Sequence, residues 1–447
     1  LLLHTPAPDF AALQQRVLSA NTDGIPQLLF GERLDDSRYL HWSQLIRRTP
    51  PSGLTHEEWW FRLKLQRSAQ LRTVPLRMKD GRPFSFALTD EVLKLSEEIT
   101  RRAGGAVSSG SNALTPAGRD GFVVRSLVEE AITSSQLEGA STSRRVAVDM
   151  ISTRRDPRTK SERMILNNFN AMSLIAENKD AAFDAAWVRE LHTVLTEGTL
   201  EDASHEGRLE TPGDERVSVW AASGEEVHVP PPASELPERL IELCSFANGS
   251  TADSPYIPPV VRAIITHFMF GFDHYFSDGN GRMARTAFYW AMLHNGYWLA
   301  EYLTISKILR KAPGRYSDSY QYTEDDDGDL TYFILHQLRV IQRALDELDT
   351  YIETRRSESN RIRMALRSAA TEFNPRQTQL LEWLTRDGID EISAADVAAR
   401  YRVTTQTARN DLRHLENFGL LSPSKTKHPI RWTVAIDIGR RITELGK

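Results

Sequence analysis

Residues 274–285 read HYFSDGNGRMAR, a histidine followed by an acid, two glycines, an asparagine and two arginines. Each type suits one part of phosphate chemistry. His274 can serve as a general base near neutral pH. Asp278 is a hard oxygen ligand suited to Mg²⁺, which often bridges a carboxylate and substrate phosphates. Gly279 and Gly281 would let a phosphate approach backbone N–H groups at a helix start, which are unpaired and sit at the positive end of the helix dipole. Asn280 adds a neutral donor. Arg282 and Arg285, one turn apart on one face, can both reach distal phosphates. Taken singly, the histidine reads as structural, DGNG as a tight turn or calcium-like loop, and the arginines as a solvated face. Their joint order describes nucleotidyl transfer from a nucleotide to a hydroxyl.

Two helices must position these groups. The segment 259–273 has the periodicity of a buried helix, and a second helix starts near Gly281 and runs through MARTAFYWAMLHNGYW, leaving 274–280 as the loop between them. From Phe122 to about Ala370 most segments carry three-and-four apolar spacing, so the expected fold is mainly α. The exception is 209–232, whose short β-like runs, Gly and Pro suit a hairpin flap. Leu338, Ile341, Leu345, Leu348 and Ile352 form a 3–4 seam on a long helix, a connecting helix or a strut for a homodimer. Further upstream, 54–70 reads as a helix capped by Thr55, 74–89 as two strands around Asp80–Gly81, and 103–118 as a Gly/Ser/Ala-rich linker. The expected organisation is an α/β accessory region at 1–105, a helical domain at 119–345, a connecting helix at 346–373 and a compact C-terminal domain at 374–447.

The stretch at 274–285 resembles the signature of the Fic family (filamentation induced by cAMP), H-P-F-x-[D/E]-G-N-G-R-x-x-R. His274, Phe276, Asp278, Gly279, Asn280, Gly281, Arg282 and Arg285 match it, and Tyr275 stands where proline is usual. The resemblance implies a Fic-type helical domain with a β-hairpin flap and the transfer of AMP from ATP to a target protein or to the chain itself. His274 would deprotonate the target hydroxyl and Asp278 would hold Mg²⁺. Gly279, Asn280 and Gly281 would form an anion hole, and Arg282 and Arg285 would hold the β- and γ-phosphates. Val217, Val219 and Trp220 would pin a target segment by strand-like pairing. Tyr316 would neighbour the adenine; its alternative is an ordinary core tyrosine.

SSQLEG at 134–139 ends a helix expected to start near Gly121. Ser134 and Glu138 lie four apart on one face, and Gly139 suits a C-terminal cap. A carboxylate there meets the negative end of the dipole, at a cost of roughly 0.3–1 kcal/mol, unless a cation offsets it. The string is similar to the inhibitory motif [S/T]-x-x-x-E-[G/N] of the same family. By that resemblance Glu138 would pair with Arg285 and deny it to the γ-phosphate; a reversed chemistry, with Glu138 orienting a water to remove AMP, is the alternative.

Beyond Asn374–Pro375, residues 393–421 have the outline of a helix-turn-helix, with Ser393 and Asp396 as a capping box and Ala398 and Ala399 small enough for a close crossing. Gln406, Thr407, Arg409, Asn410 and Arg413 form the outward face of its second helix, residue types that read base edges and hold phosphates. Residues 422–434 read as a hairpin wing with Lys425, Lys427 and His428 at its tip. From Asn374 onward twelve Lys/Arg oppose nine Asp/Glu, net +3, whereas the whole chain is −5. This local sign favours double-stranded DNA, and the segment resembles a winged helix of the bacterial-regulator kind, a fold that also serves as a protein-binding module. A nucleotide-sensing DNA-binding regulator is therefore the competing function. One cysteine, Cys244, rules out an internal disulfide, no stretch is apolar enough to span a bilayer, and the expected location is the cytoplasm.

Overall fold

The computed structural model describes the chain except for residues 1–3, 21–25, 27, 28, 30, 105–115, 221–225, 250–254, 370, 388, 390, 425–429, 446 and 447. It is mainly helical, with three small sheets among the described residues. The chain divides into two compact units, one of residues 1–106 and 126–345, the other of 107–125 and 346–447.

The first unit is organised around two antiparallel neighbours, the helices Pro259–Asp273 and Asn280–His294. The first begins with Pro259, whose fixed φ suits a helix start. Twelve of its fifteen residues are buried, so apolar side chains line every face and place it at the centre. Phe268, Phe270, Trp290 and Met292 are each no more than 1% exposed, and full burial of such a side chain contributes about 1.5–3 kcal/mol. Close approach fixes one residue: a Cβ at Gly271 would lie 2.4 Å from the Tyr320 hydroxyl. The surrounding helices start at side-chain caps, Thr159 accepting from the Glu162 amide and Asp184 from that of Trp187.

Residues 1–106 pack within this unit. Thr55 and Glu58 form a capping box at His56–Ser68, and Gly81 turns the antiparallel hairpin Leu71–Arg77/Pro83–Ala87 at φ +85°. Leu13, Leu45, Trp60 and Phe61 make a local core. Buried polar ties then reach the 326–332 segment: Lys64 to Asp326, the Tyr39 hydroxyl to Asp329, and Arg67 to the Tyr332 hydroxyl. The helix carrying SSQLEG spans Pro116–Leu137, starting five residues before Gly121, with a proline at its first position. Part of the 103–118 linker lies outside the described residues, and 100–104 continue the preceding helix as a wider turn.

Of the seam expected on a connecting helix or a homodimer strut, Leu338, Ile341, Leu345 and Leu348 on the helix Thr331–Ser368 are at most 5% exposed within the single chain, and Ile352 is half-buried. Those first four leave little surface for a second copy.

In the second unit, Ala365 and Leu366 join Leu380, Leu384, Val397, Leu412, Leu415, Trp432 and Ile442 in one core. The helices Pro375–Asp387, Ala394–Tyr401 and Thr405–Asn417 pack beside a three-stranded antiparallel sheet of Glu391–Ser393, Arg431–Val434 and Leu421–Pro423, in that spatial order. Ser393 and Asp396 form the expected capping box. The inward residues of Ala394–Tyr401 are Ala394 and Val397; Ala398 is half-buried and Ala399 exposed, because the helix starts at Ala394 and its phase carries Ala399 outward. Among the described residues, no helix is long and apolar enough to cross a membrane.

Candidate active site

The loop between the two central helices is held from several sides. His274 ends the first helix in the left-handed region, φ +48° and ψ +63°. Its Nδ1–H donates to the Gly271 carbonyl at 2.8 Å. A carbonyl only accepts, so this bond places the proton on Nδ1 and leaves the Nε2 lone pair free. Burial holds the His274 pKa below its ordinary value; the Gly271 carbonyl and Glu138 oppose this, and His228 and Arg216 reinforce it. The ring is therefore a neutral base at pH 7.

Gly279 opens the second helix at φ +86°, where a Cβ would meet Thr196 at 3.0 Å and the His192 ring at 3.3 Å. Asn280 clamps the loop: its Oδ1 accepts from the Phe276 amide at 3.1 Å, and its Nδ2 donates to the Phe276 carbonyl at 2.6 Å. These bonds use Oδ1 and one Nδ2 hydrogen, which leaves Asn280 its backbone N–H and the second amide hydrogen to offer an anion. Phe276 is fully buried beneath the loop.

The two arginines differ. Arg282 is fully buried and donates through Nη1 to the Leu195 carbonyl at 2.9 Å, while its Nε and Nη2 have no hydrogen-bond partner. The nearest acid, Asp278, lies 3.6 Å from Nη2. Buried donors left unmatched are costly, roughly 1–3 kcal/mol each, and so mark a place for an acceptor. Burial lowers the Arg282 pKa, and Asp278 and Glu138 only partly offset it. Arg285, by contrast, is engaged at both Nε and Nη2: Nε donates to Ser134 Oγ at 2.8 Å, and Nη2 to the Ser134 carbonyl at 3.1 Å and to Glu138 Oε1 at 2.8 Å.

Glu138 lies just past the helix end at Leu137, followed by Gly139 at φ +89°. Its Oε1 stands so close over Gly281 that a Cβ there would meet it at 2.2 Å, with Arg285 Nη1 at 3.2 Å. A carboxylate thus stands over the first turn of the second helix, paired with Arg285 one turn further along the same helix. The carboxylate of Asp278 is half exposed and accepts from the Gly279 amide at 2.5 Å. Among the described residues, no group of three or more His, Cys, Asp or Glu could hold a metal ion. One carboxylate fits Mg²⁺ only when phosphates supply further ligands, so any ion here would arrive with a nucleotide.

Tyr316 is half-buried, and its hydroxyl lies 2.8 Å from His267 Nε2. Burial raises its pKa and Arg285 opposes the rise, so the ring stands within the field of that guanidinium. In the flap, Val219–Trp220 pairs antiparallel with Glu226–His228. Val219 is half-buried and in the strand, but Val217 precedes it and is 42% exposed; the ladder is shorter than the β-like run. The strand includes the Trp220 backbone, while its side chain lies outside the described residues.

Four residues that bear on the site escaped sequence reasoning. His192 stacks on Phe276 at 3.7 Å, donates from Nε2 to the Asp278 carbonyl at 2.8 Å and accepts at Nδ1 from the Gly207 amide at 3.0 Å. Burial holds its pKa down at about 4, which keeps Nδ1 free to accept. Its signal was present, since Val188, Leu191, His192 and Leu195 fall on the buried face of one helix. Arg216 donates to the carbonyls of Asp273 and His274, both at 2.8 Å. His228 donates from Nε2 to the Phe272 carbonyl at 2.7 Å and meets Glu324 at Nδ1 at the same distance. Arg239 pairs with Asp273 at 3.1 Å. No motif or periodicity singles out these last three.

In the C-terminal unit, Thr404 caps the helix Thr405–Asn417, accepting from the Thr407 amide, and Ala408, Leu412 and Leu415 are fully buried. Gln406, Asn410 and Arg413 are exposed, and Thr407 and Arg409 half-buried. Gln406 Nε2 donates to Asn410 Oδ1 at 3.0 Å. Lys425, Lys427 and His428 lie outside the described residues.

Residues 182–292 match the family model described as Fic/DOC family, and residues 376–423 match the DeoR-like helix-turn-helix domain. The first match begins after Glu138 and ends before Tyr316. Among solved structures, a Fic family protein from Desulfovibrio desulfuricans G20 is 19% identical, covers 78% of this chain and 97% of its own, and has a TM-score of 0.50. Fic-1 from C. elegans is 17% identical, with 77% and 90% covered and a TM-score of 0.47. At these identities the likeness concerns fold alone. No curated protein matches the chain. The chain carries a Fic domain followed by a DeoR-like helix-turn-helix domain.

Proposed function

We propose that this chain is an autoinhibited protein adenylyltransferase, moving AMP from ATP to a Tyr, Ser or Thr hydroxyl of a target protein or of itself, with a DNA-binding C-terminal domain. The observation that carries the proposal is the Glu138 carboxylate seated over Gly281 and paired with Arg285, beside an Arg282 whose Nε and Nη2 have no hydrogen-bond partner and whose nearest acid is 3.6 Å away. A helix N-terminus flanked by two guanidiniums is an anion seat, and an internal carboxylate fills part of it.

In the proposed reaction the free Nε2 of His274 takes the proton from the target hydroxyl. The hydroxyl oxygen bonds to the α-phosphorus, the bond to the bridging oxygen breaks, and pyrophosphate leaves. The N–H groups of Gly279, Asn280 and Gly281, with Arg282 and Arg285, would hold the phosphates. Asp278 would hold Mg²⁺, which when bound neutralises charge building on the leaving pyrophosphate. Tyr316 would border the adenine, and Val217, Val219 and Trp220 the target. Ser134 and Glu138 would keep Arg285 engaged until a signal withdraws them. The buried recognition-helix core and its polar outer face support DNA contacts by Gln406, Thr407, Arg409, Asn410 and Arg413, with Lys425 and Lys427 on the wing.

Incubation of the full chain with ATP labelled at the α- or the γ-phosphate tests this reading. The Glu138→Gly protein is expected to gain α-label and no γ-label, and the Glu138→Gly/His274→Ala protein to gain neither. Gain of γ-label, or no label with Glu138→Gly, overturns it.

A further inference from the structure

The residue that departs from the Fic signature, Tyr275, is fully buried. Its hydroxyl donates to Asp273 Oδ2 at 2.6 Å, so the side chains on either side of His274 are tied to each other. Asp273, also fully buried, accepts at its other oxygen from Arg239 Nη1 at 3.1 Å. Arg239 is in turn committed to Glu235 and to the carbonyls of Arg77 and Met78. The backbone is fastened as well. The carbonyls of Asp273 and His274 accept from Arg216, itself paired with Glu210, and the Tyr275 carbonyl accepts from the Glu210 amide at 3.0 Å.

We propose that Tyr275, Asp273 and Arg239 form a buried positioning unit for His274, doing through hydrogen bonds what a proline at 275 does through its ring. The proposal rests on the adenylyl-transfer reading above. His274 holds φ +48°, a region that non-glycine residues rarely adopt and that persists only where the surroundings over-determine it. With residue 275 free of ring constraint, the tie across His274 supplies that determination. None of the three side chains is exposed enough to meet a substrate, Arg239 being 2% exposed; they act through His274.

Charge is part of the unit. Asp273 is faced by Arg239 from the helix Leu236–Ala247, by Arg216 and His228 from the flap segment, and by Tyr275 from its own loop, whose ring also lies near Cys244. Burial raises the Asp273 carboxyl to about 6, against the pull of Arg239, the Tyr275 hydroxyl, His228 and Arg216. Above that value the carboxylate can anchor both Tyr275 and Arg239. Removal of the Tyr275 hydroxyl deletes a bond favouring the ionised form, so the carboxyl then takes its proton at higher pH.

The test uses the full-length Glu138→Gly protein as parent and α-labelled ATP as probe. Tyr275→Phe is expected to lower kcat roughly 10- to 100-fold, the cost of a misplaced base, with KM for ATP unchanged and the acid limb of kcat moved to higher pH. Asp273→Asn, which keeps the side-chain size, is expected to lower kcat similarly and to remove the contribution of that carboxyl to the acid limb. Thermal melts of both variants separate a local effect from unfolding, and the inference needs only one of them folded. A folded variant with the parent's kcat and acid limb overturns it, as does a loss confined to KM. An unlabelled parent sinks the adenylyl-transfer reading instead, and this proposal with it.

Discussion

The loop of the Fic domain and the outer face of the recognition helix are both polar, yet they are built in opposite ways. At 274–285, Arg282, Arg285 and Asn280 are nearly inaccessible, and the His274 proton position is set by a single carbonyl. On the recognition helix, Gln406, Asn410 and Arg413 stand in solvent, and Gln406 and Asn410 bond chiefly to each other. Chemistry on a phosphoryl group needs charges aimed before substrate arrives, and aimed buried charges must be partnered. Reading a polymer needs side chains that exchange water for a base edge or phosphate at little cost. Burial separates preorganised groups from adaptable ones, and substitutions at the two places should differ in kind.

The largest effect is expected at the base. In the Glu138→Gly protein, His274→Ala should slow AMP transfer about 10²- to 10⁴-fold in single-turnover labelling. The acid limb of the intact site should lie below pH 6.5, because burial lowers the His274 pKa. Next comes His192, fully buried and held at about 4. Its unfolded pKa is higher, so the unfolded chain binds the extra proton first and stability is lost as pH falls from about 6.5 to 4. Denaturant melts of wild type and His192→Asn should diverge by up to about 3 kcal/mol across that window, and parallel curves would remove His192 as the anchor of Asp278. The oppositely shifted carboxyls, Glu130 and Asp273, both raised to about 6, are common to both proteins and cancel. A smaller effect is expected for the pair over Gly281: Glu138→Gly should tighten ATP about tenfold, or 1.4 kcal/mol, by calorimetry. The smallest should fall on the open face, where Arg413→Ala weakens duplex binding and reduces its salt slope by about one phosphate contact. A drop in thermal stability there instead would mean that this face is structural.

Much of this was legible in the sequence where chemistry demands rare residues in fixed order. The loop, the two helices around it and the Ser393–Asp396 cap follow from spacing, as does the burial of Leu412 and Leu415. The supports were not legible, because Arg216 and Arg239 reach backbone carbonyls of segments distant in sequence, and any exposed-looking arginine could do so. The extent of the flap ladder was not legible, because Val217 is as β-branched as Val219 yet precedes the paired residues Val219–Trp220. The 338–352 seam left a connecting helix and a homodimer strut both open, because periodicity marks a face as apolar without saying whether the same chain or a second copy covers it.

The central claim is that Glu138 sits where a terminal phosphate belongs. Calorimetry of Mg²⁺–ATP and Mg²⁺–ADP binding to wild type and to Glu138→Gly measures this directly. The account predicts that the substitution strengthens ATP binding about tenfold and ADP binding clearly less. Equal gains for both nucleotides, or none for ATP, would contradict it.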